Sequence, residues 1–268
     1  MPPQKESRYL VHRKDEYDAL VKASGIVVLH GPARCGKTTL LKKLAEDDKG
    51  IHIEFRRSDT PETFLKRLTQ RISKFAAVEQ DVYNACLEFL KALDSLEAGL
   101  PALVKARFTP GDFLESLFAR RVPIVDVFLR HLRDPKLTVY VDGFDQVATR
   151  QEIVDLTLDI LAEAQSPMVL GVRDETLDSL DLTDRLPIDT QYVRLDRFTE
   201  AETKRLLDAR GIEWDPEVHR RWRGDPGWLY LATEEAATLE ELRTIMPGPV
   251  ANEHRRAYRR LSRQQKQC

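Results

Sequence analysis

Eight residues, Gly31-Pro-Ala-Arg-Cys-Gly-Lys-Thr38, limit the possible folds of this chain more than any other feature. They fit the pattern Gly-x-x-x-x-Gly-Lys-Ser/Thr, and their flanks have the composition that the pattern needs. Ile26-Val-Val-Leu-His30 before them is a short β-branched apolar run that reads as a buried strand; Thr39-Leu-Leu-Lys-Lys-Leu-Ala45 after them reads as an amphipathic helix. Strand, glycine turn and helix start therefore come in the order of a phosphate-binding loop. Gly31 and Gly36 permit backbone angles and close approaches that a Cβ would block, so the N–H groups of Gly31, Ala33, Arg34, Cys35, Gly36 and on to Thr39 can surround an anion, with Pro32, which has no N–H, as part of the turn. The helix start adds unsatisfied N–H groups and the positive end of its dipole. Lys37 is expected to reach the β and γ phosphates of a nucleotide, and the Thr38 hydroxyl to ligate Mg²⁺. Cys35 occupies a variable position of the pattern and is expected to contribute its backbone.

A loop of this type needs a carboxylate on a second strand to hold the metal. Leu137-Thr-Val-Tyr-Val-Asp-Gly-Phe-Asp145 supplies one, with Asp142 after five residues of strand character. A carboxylate at the C-terminal end of a strand lies at the crevice where open α/β sheets bind ligands, which selects Asp142 for Mg²⁺. Nucleotide hydrolysis also needs a group that orients the attacking water, and Asp145 is the candidate for that task.

Gly31 to Thr38 together with Asp142-Gly-Phe-Asp145 resembles the signal-transduction (STAND) branch of P-loop ATPases, particularly the archaeal-type ATPases related to AAA+ proteins and origin initiators. Three further segments are similar to that group. Tyr9-Leu-Val-His-Arg-Lys-Asp-Glu16 resembles its entry motif, with His12 where the group prefers glycine; the resemblance gives Arg13 to the nucleotide site and makes the following helix a cover for the adenine. Met168-Val-Leu-Gly-Val-Arg173 resembles the strand that ends in a γ-phosphate sensor, which would be Arg173. Gly224-Asp-Pro226 with Trp228-Leu-Tyr-Leu-Ala232 is similar to the Gly-x-Pro motif of the helical lid, placing Pro226 beside the nucleotide. The chain departs from the group at Gly143, where many relatives carry glutamate. Plainer readings stand beside these: Arg13 and Glu16 as a surface pair at a helix start, Arg173 as a strand end paired with Asp174 or Glu175, and Gly224-Asp-Pro226 as a turn between helices.

The expected architecture is α/β, a P-loop NTPase of AAA+/STAND type with a parallel five-stranded sheet, a helical insert and a C-terminal helical lid. Strands are expected near Ile26 to His30, Ile51 to Phe55, Leu137 to Val141, Met168 to Val172 and Tyr192 to Leu195, after a helix around Arg13 to Ala23. The ATPase core would occupy residues 1–196, with the insert at about 60–134, the lid at 197–249 and a basic tail at 250–268. Apolar residues of the insert recur at helical spacing in Phe64, Leu65, Leu68 and Ile72 and again in Cys86, Leu87, Leu90 and Leu93. The lid begins with a capping box, Thr199 as N-cap and Glu202 three residues later.

At 268 residues, 42% hydrophobic and 32% charged, the chain can bury one α/β core and a small second domain. No apolar run approaches a membrane span and the first residues lack the apolar stretch of a signal peptide, so the cytosol is the expected compartment. Cys35, Cys86 and Cys268 form neither a disulfide framework nor a zinc pattern. The net charge of −2 conceals a basic end, with six Lys or Arg from Val250 onward against Glu253 alone. That tail, with Tyr258 among its arginines, reads either as a solvated helix or as a nucleic-acid contact. The expected activity is slow Mg²⁺-dependent ATP hydrolysis driving a conformational switch, with a protein partner at the insert. The alternatives are a nucleic-acid-remodelling ATPase, an ATP-binding scaffold with little hydrolysis, and a small-molecule kinase.

Overall fold

A computed structural model describes residues 13–75, 137–163 and 166–245. Most of the expected insert, the residues before Arg13 and the basic tail lie outside the described residues. The chain forms two compact units, a larger one of residues 15–31 and 37–194 and a smaller one that takes, among the described residues, 13–14, 32–36 and 195–245.

The larger unit is a parallel sheet with helices. Its elements are α1 (Lys14–Lys22), which enters the unit at Asp15, then β1 (Ile26–His30), α2 (Lys37–Asp47), β2 (Ile51–Glu54), α3 (Pro61–Phe75), β3 (Val139–Asp142), α4 (Gln151–Glu163), β4 (Met168–Val172), α5 (Asp174–Ser179), α6 (Leu182–Arg185) and β5 (Gln191–Arg194). All pairings are parallel, in the order β2-β3-β4-β1-β5. Burial follows that order. The three inner strands are continuous apolar runs covered on both faces, whereas β2 alternates and β5 is largely exposed. Because the strands run one way, His30, Glu54, Asp142, Val172 and Arg194 all end at one edge of the sheet, and register pairs Glu54 with Asp142 and His30 with both Val172 and Arg194. Phe55, fully buried beyond β2, stacks on Phe64 at 4.2 Å and packs against Phe144 at 5.6 Å. Its N–H donates to Asp142 O at 2.8 Å, which carries the β2–β3 ladder past the last strand residue.

The smaller unit is helical, with α7 (Glu200–Arg210), α8 (Pro216–Trp222), α9 (Pro226–Glu235) and α10 (Leu239–Thr244) around Phe198, Leu206, Leu207, Trp222, Trp228 and Leu229. Local chemistry sets its boundaries. The Thr199–Glu202 capping box is present, Asp215 and Asp225 cap helices that begin with proline, and Gly211 closes α7 in the left-handed conformation.

Gly224 is the tightest point of this unit. Its φ is +61°, and a Cβ there would lie 2.2 Å from Phe198 O, while Phe198 N–H donates to Gly224 O at 2.7 Å. Left-handed strain and a backbone clash should together destabilise a Gly224→Ala protein by about 2–5 kcal/mol. Thermal unfolding followed by circular dichroism checks this; a variant that melts like the parent would mean that the Phe198 contact is not made.

Candidate functional site

Lys37, Thr38 and Asp142, the residues expected to serve the phosphates and the metal, lie in the sheet unit. β1 ends at His30 on a central, fully paired strand, and the chain then turns through Gly31 at φ +148° and Gly36 at φ +104°. Arg34, between them, holds φ +67°, an uncommon conformation for a residue with a side chain. α2 follows at once and has no acidic residue in its first turn, so nothing on the helix offsets its positive end. Lys37 is buried at 8% exposure, and its Nζ donates to Gly31 O at 2.7 Å. The ammonium is thereby held over the turn it is expected to serve.

Asp142 stands on the neighbouring part of the sheet edge, 4% exposed. Its Oδ1 accepts from the N–H of Gly143 at 2.8 Å. Oδ2 is buried with no hydrogen-bond partner among the described residues, and His52 Nε2 lies 3.8 Å from it, beyond hydrogen-bond range. Burial alone would raise this carboxyl, but His52, the Thr38 hydroxyl and the Gly143 N–H outweigh it and hold the group below the usual carboxylate range. Thr38 and Asp142, 104 positions apart in sequence, are therefore brought together. An ionised, buried carboxylate with an unsatisfied oxygen next to a threonine hydroxyl suits a hard divalent cation whose other ligands come from phosphates and water. The residues present fit Mg²⁺.

Asp145 and Arg173 are also brought together, with each other. Asp145 lies in the short 3₁₀ turn Phe144–Gln146; its Oδ1 accepts from the Arg173 N–H at 2.6 Å, and Oδ2 lies 3.4 Å from Arg173 Nε. Arg173 thus pairs with Asp145 rather than with Asp174 or Glu175 beside it, and half of its side chain faces solvent. Asp174 instead bonds His30 Nδ1 at 2.8 Å and lies 3.7 Å from Arg194. These three residues escape sequence reading because they come together only across β1, β4 and β5.

The remaining expected site residues, apart from Thr39 on α2, belong to the helical unit. The Arg13 guanidinium lies 3.4 Å from Glu202, donates to Asp196 O and sits 4.9 Å over the Phe198 ring, so it fastens the entry segment to α7 and the strand exit. Arg34 stacks on the Trp228 ring at 4.5 Å and its carbonyl accepts from Gly227 N–H at 3.2 Å, joining residues 32–36 to the start of α9. Pro226 is the buried first residue of that helix. Cys35 is buried; Ala33 and Thr39 are exposed.

Glu54 and His52 were accessible to the rule that selected Asp142, since Ile51-His-Ile-Glu54 is also an apolar strand ending in a carboxylate. Both line a cavity of about 700 Å³ shared with Lys42, Arg56, Arg71 and Gln146. Among the described residues, no helix is long and apolar enough to cross a membrane.

No protein-family model matches the sequence, and no curated protein matches it. Among solved structures the chain is similar to a Walker-type ATPase of Pyrococcus abyssi, with a TM-score of 0.50 and 15% identity over 83% of this chain and 66% of that one. It is also similar to the ORC1 protein of Aeropyrum pernix in complex with DNA, with a TM-score of 0.45 and 15% identity over 92% of this chain and 65% of that one. Cdc6p of Pyrobaculum aerophilum matches with a TM-score of 0.44 and 17% identity over 88% and 62%. This chain spans 62–66% of the length of those three structures. At such identities the likeness concerns the fold. With its five parallel strands and the strand-loop-helix at Gly31 to Thr38, the chain has the fold of the P-loop NTPases.

Proposed function

We propose that this protein binds ATP with Mg²⁺ and hydrolyses it slowly, and that the change from triphosphate to diphosphate works as a conformational switch. The observation that carries this reading is the meeting of Lys37, Thr38 and Asp142 in one unit, with Lys37 buried over the Gly31 turn and the Asp142 carboxylate kept ionised despite its burial. Lys37 would hold the β and γ phosphates, with the backbone N–H groups at the start of α2 beside it. Thr38 and Asp142 would hold Mg²⁺, which when bound bridges phosphate oxygens and offsets their charge. Arg173, fixed by Asp145 and half exposed at the sheet edge, is the group for reporting whether a γ-phosphate is present. Such a report acts as a switch because contacts to a phosphate hold one arrangement and its loss releases them.

Binding without turnover is a second reading with one observation behind it: Gly143 brings no carboxylate, and both oxygens of Asp145 face Arg173. The basic tail, which lies outside the described residues, is the reason to include nucleic acid in the test. Phosphate release by the purified protein with ATP and Mg²⁺, with and without single- and double-stranded DNA, decides among the readings. Slow Mg²⁺-dependent release indifferent to DNA is expected. Micromolar ATP binding without release would establish the scaffold, and strong stimulation by DNA would move the assignment to a nucleic-acid ATPase.

A further inference from the structure

We propose that Glu54, at the end of the neighbouring strand, orients the attacking water and accepts its proton, replacing the glutamate that position 143 lacks. This deepens the ATP-hydrolysis reading and rests on it. Glu54 is in register with Asp142, and residues in register on parallel strands project from the same face of a sheet. A side chain at position 143 would begin 3.4 Å from Cγ of Glu54, so the Glu54 stem already occupies the neighbourhood that such a side chain would enter.

Three contacts fix the backbone at this point. Phe55 N–H donates to Asp142 O at 2.8 Å, Arg67 donates through Nη1 to Glu54 O at 2.9 Å, and the Phe55 ring is buried between Phe64 and Phe144. A positioned general base needs this kind of support. Among the described residues the Glu54 carboxylate makes no hydrogen bond or ion pair, whereas Asp145 holds Arg173 and Asp142 is buried among His52, Thr38 and Gly143. Glu54 is exposed and lines the cavity of about 700 Å³.

The step balances without another reactant. The water oxygen bonds to the γ-phosphorus and the bond from that phosphorus to the β,γ-bridging oxygen breaks. ADP leaves with the electron pair, and the water proton passes to Glu54 and from there to solvent.

The test is Glu54→Gln in the full chain, beside the parent and Lys37→Ala. Turnover should fall about 100-fold, the usual weight of a general base. ATP affinity should stay within about threefold, and ATP recovered from the complex by acid quench should be uncleaved, because glutamine keeps the shape but cannot take the proton. An unchanged melting temperature shows that the variant folds. Parent-like turnover in Glu54→Gln overturns the assignment and leaves the ATPase reading standing, as does a parallel loss of affinity. A parent protein without turnover dependent on Lys37 overturns the ATPase reading and this proposal with it.

Discussion

The Lys37→Ala protein is expected to lose ATP affinity by about 100- to 1000-fold, measured by titration calorimetry or with a fluorescent ATP analogue. Two charge-assisted hydrogen bonds from one ammonium to the β and γ phosphates, at about 1.5–2 kcal/mol each, the lower part of the range for charged partners, account for this size. Burial makes the loss severe. Lys37 is 8% exposed, and its Nζ is held 2.7 Å from Gly31 O, so the charge is placed before any ligand arrives and little ordering is left for binding to supply. Truncation removes the donor to Gly31 O as well, and Lys37→Met, which keeps most of the stem, separates loss of charge from loss of packing. Both variants should lose ATP while melting within a few degrees of the parent. Parent-like affinity in Lys37→Met would remove the phosphate loop from the functional site altogether.

Local chemistry made some of this legible in the sequence, and long-range pairing hid the rest. Ile26–His30 and Met168–Val172 match their expected limits because inner strands of a parallel sheet are apolar without interruption. The outer strand was placed one residue late: Gln191–Arg194 sits on an exposed edge where polar side chains cost nothing, so the apolar run is a poor guide to where the ladder begins. β3 was placed early at Leu137, whereas the strand runs Val139–Asp142 and takes in the carboxylate itself. The capping box of Thr199 and Glu202 was readable because four adjacent residues carry all of it. Nothing local could disclose that Asp145 holds Arg173 across 28 positions, or that Arg13 meets Glu202 across 189. The first pairing is made by the adjacency of β3 and β4 and the second by packing within the helical unit, and neither is written in any window of sequence.

Glu54 shows the same limit from the other side. The missing glutamate at position 143 was visible, and so was a carboxylate ending the strand at Ile51 to Glu54. What joins the two facts is the adjacency of β2 and β3, which a crossover 84 positions long brings about. On the proposed reading, a chain that keeps Gly143 at φ +72° beside the Glu54 stem has relocated a group rather than lost it.

Asp142→Asn should be the most damaging conservative change in the sheet unit, with turnover down about 1000-fold and ATP affinity nearly kept in the absence of Mg²⁺. The amide has the shape of the carboxylate, and its oxygen can still accept the Gly143 N–H that now meets Oδ1 at 2.8 Å, so the turn after β3 survives. What disappears is the negative charge that a divalent cation needs beside the Thr38 hydroxyl. Two readouts follow from that. The tightening of ATP binding by Mg²⁺ should shrink toward none, and half-maximal turnover should require far more Mg²⁺. Stability gives an independent check through its sign. Because the folded protein holds Asp142 below the usual carboxylate range, against the effect of burial, the ionised group contributes stability that is present above the unfolded value of about pH 4 and is lost as pH falls through the folded one. The asparagine variant lacks that contribution, so its melting temperature should decline less than the parent's as the pH is lowered from 7 toward 3. Equal acid sensitivity in the two proteins, together with an unaltered Mg²⁺ requirement, would mean that Asp142 is an ordinary strand-end residue and that the metal is held elsewhere.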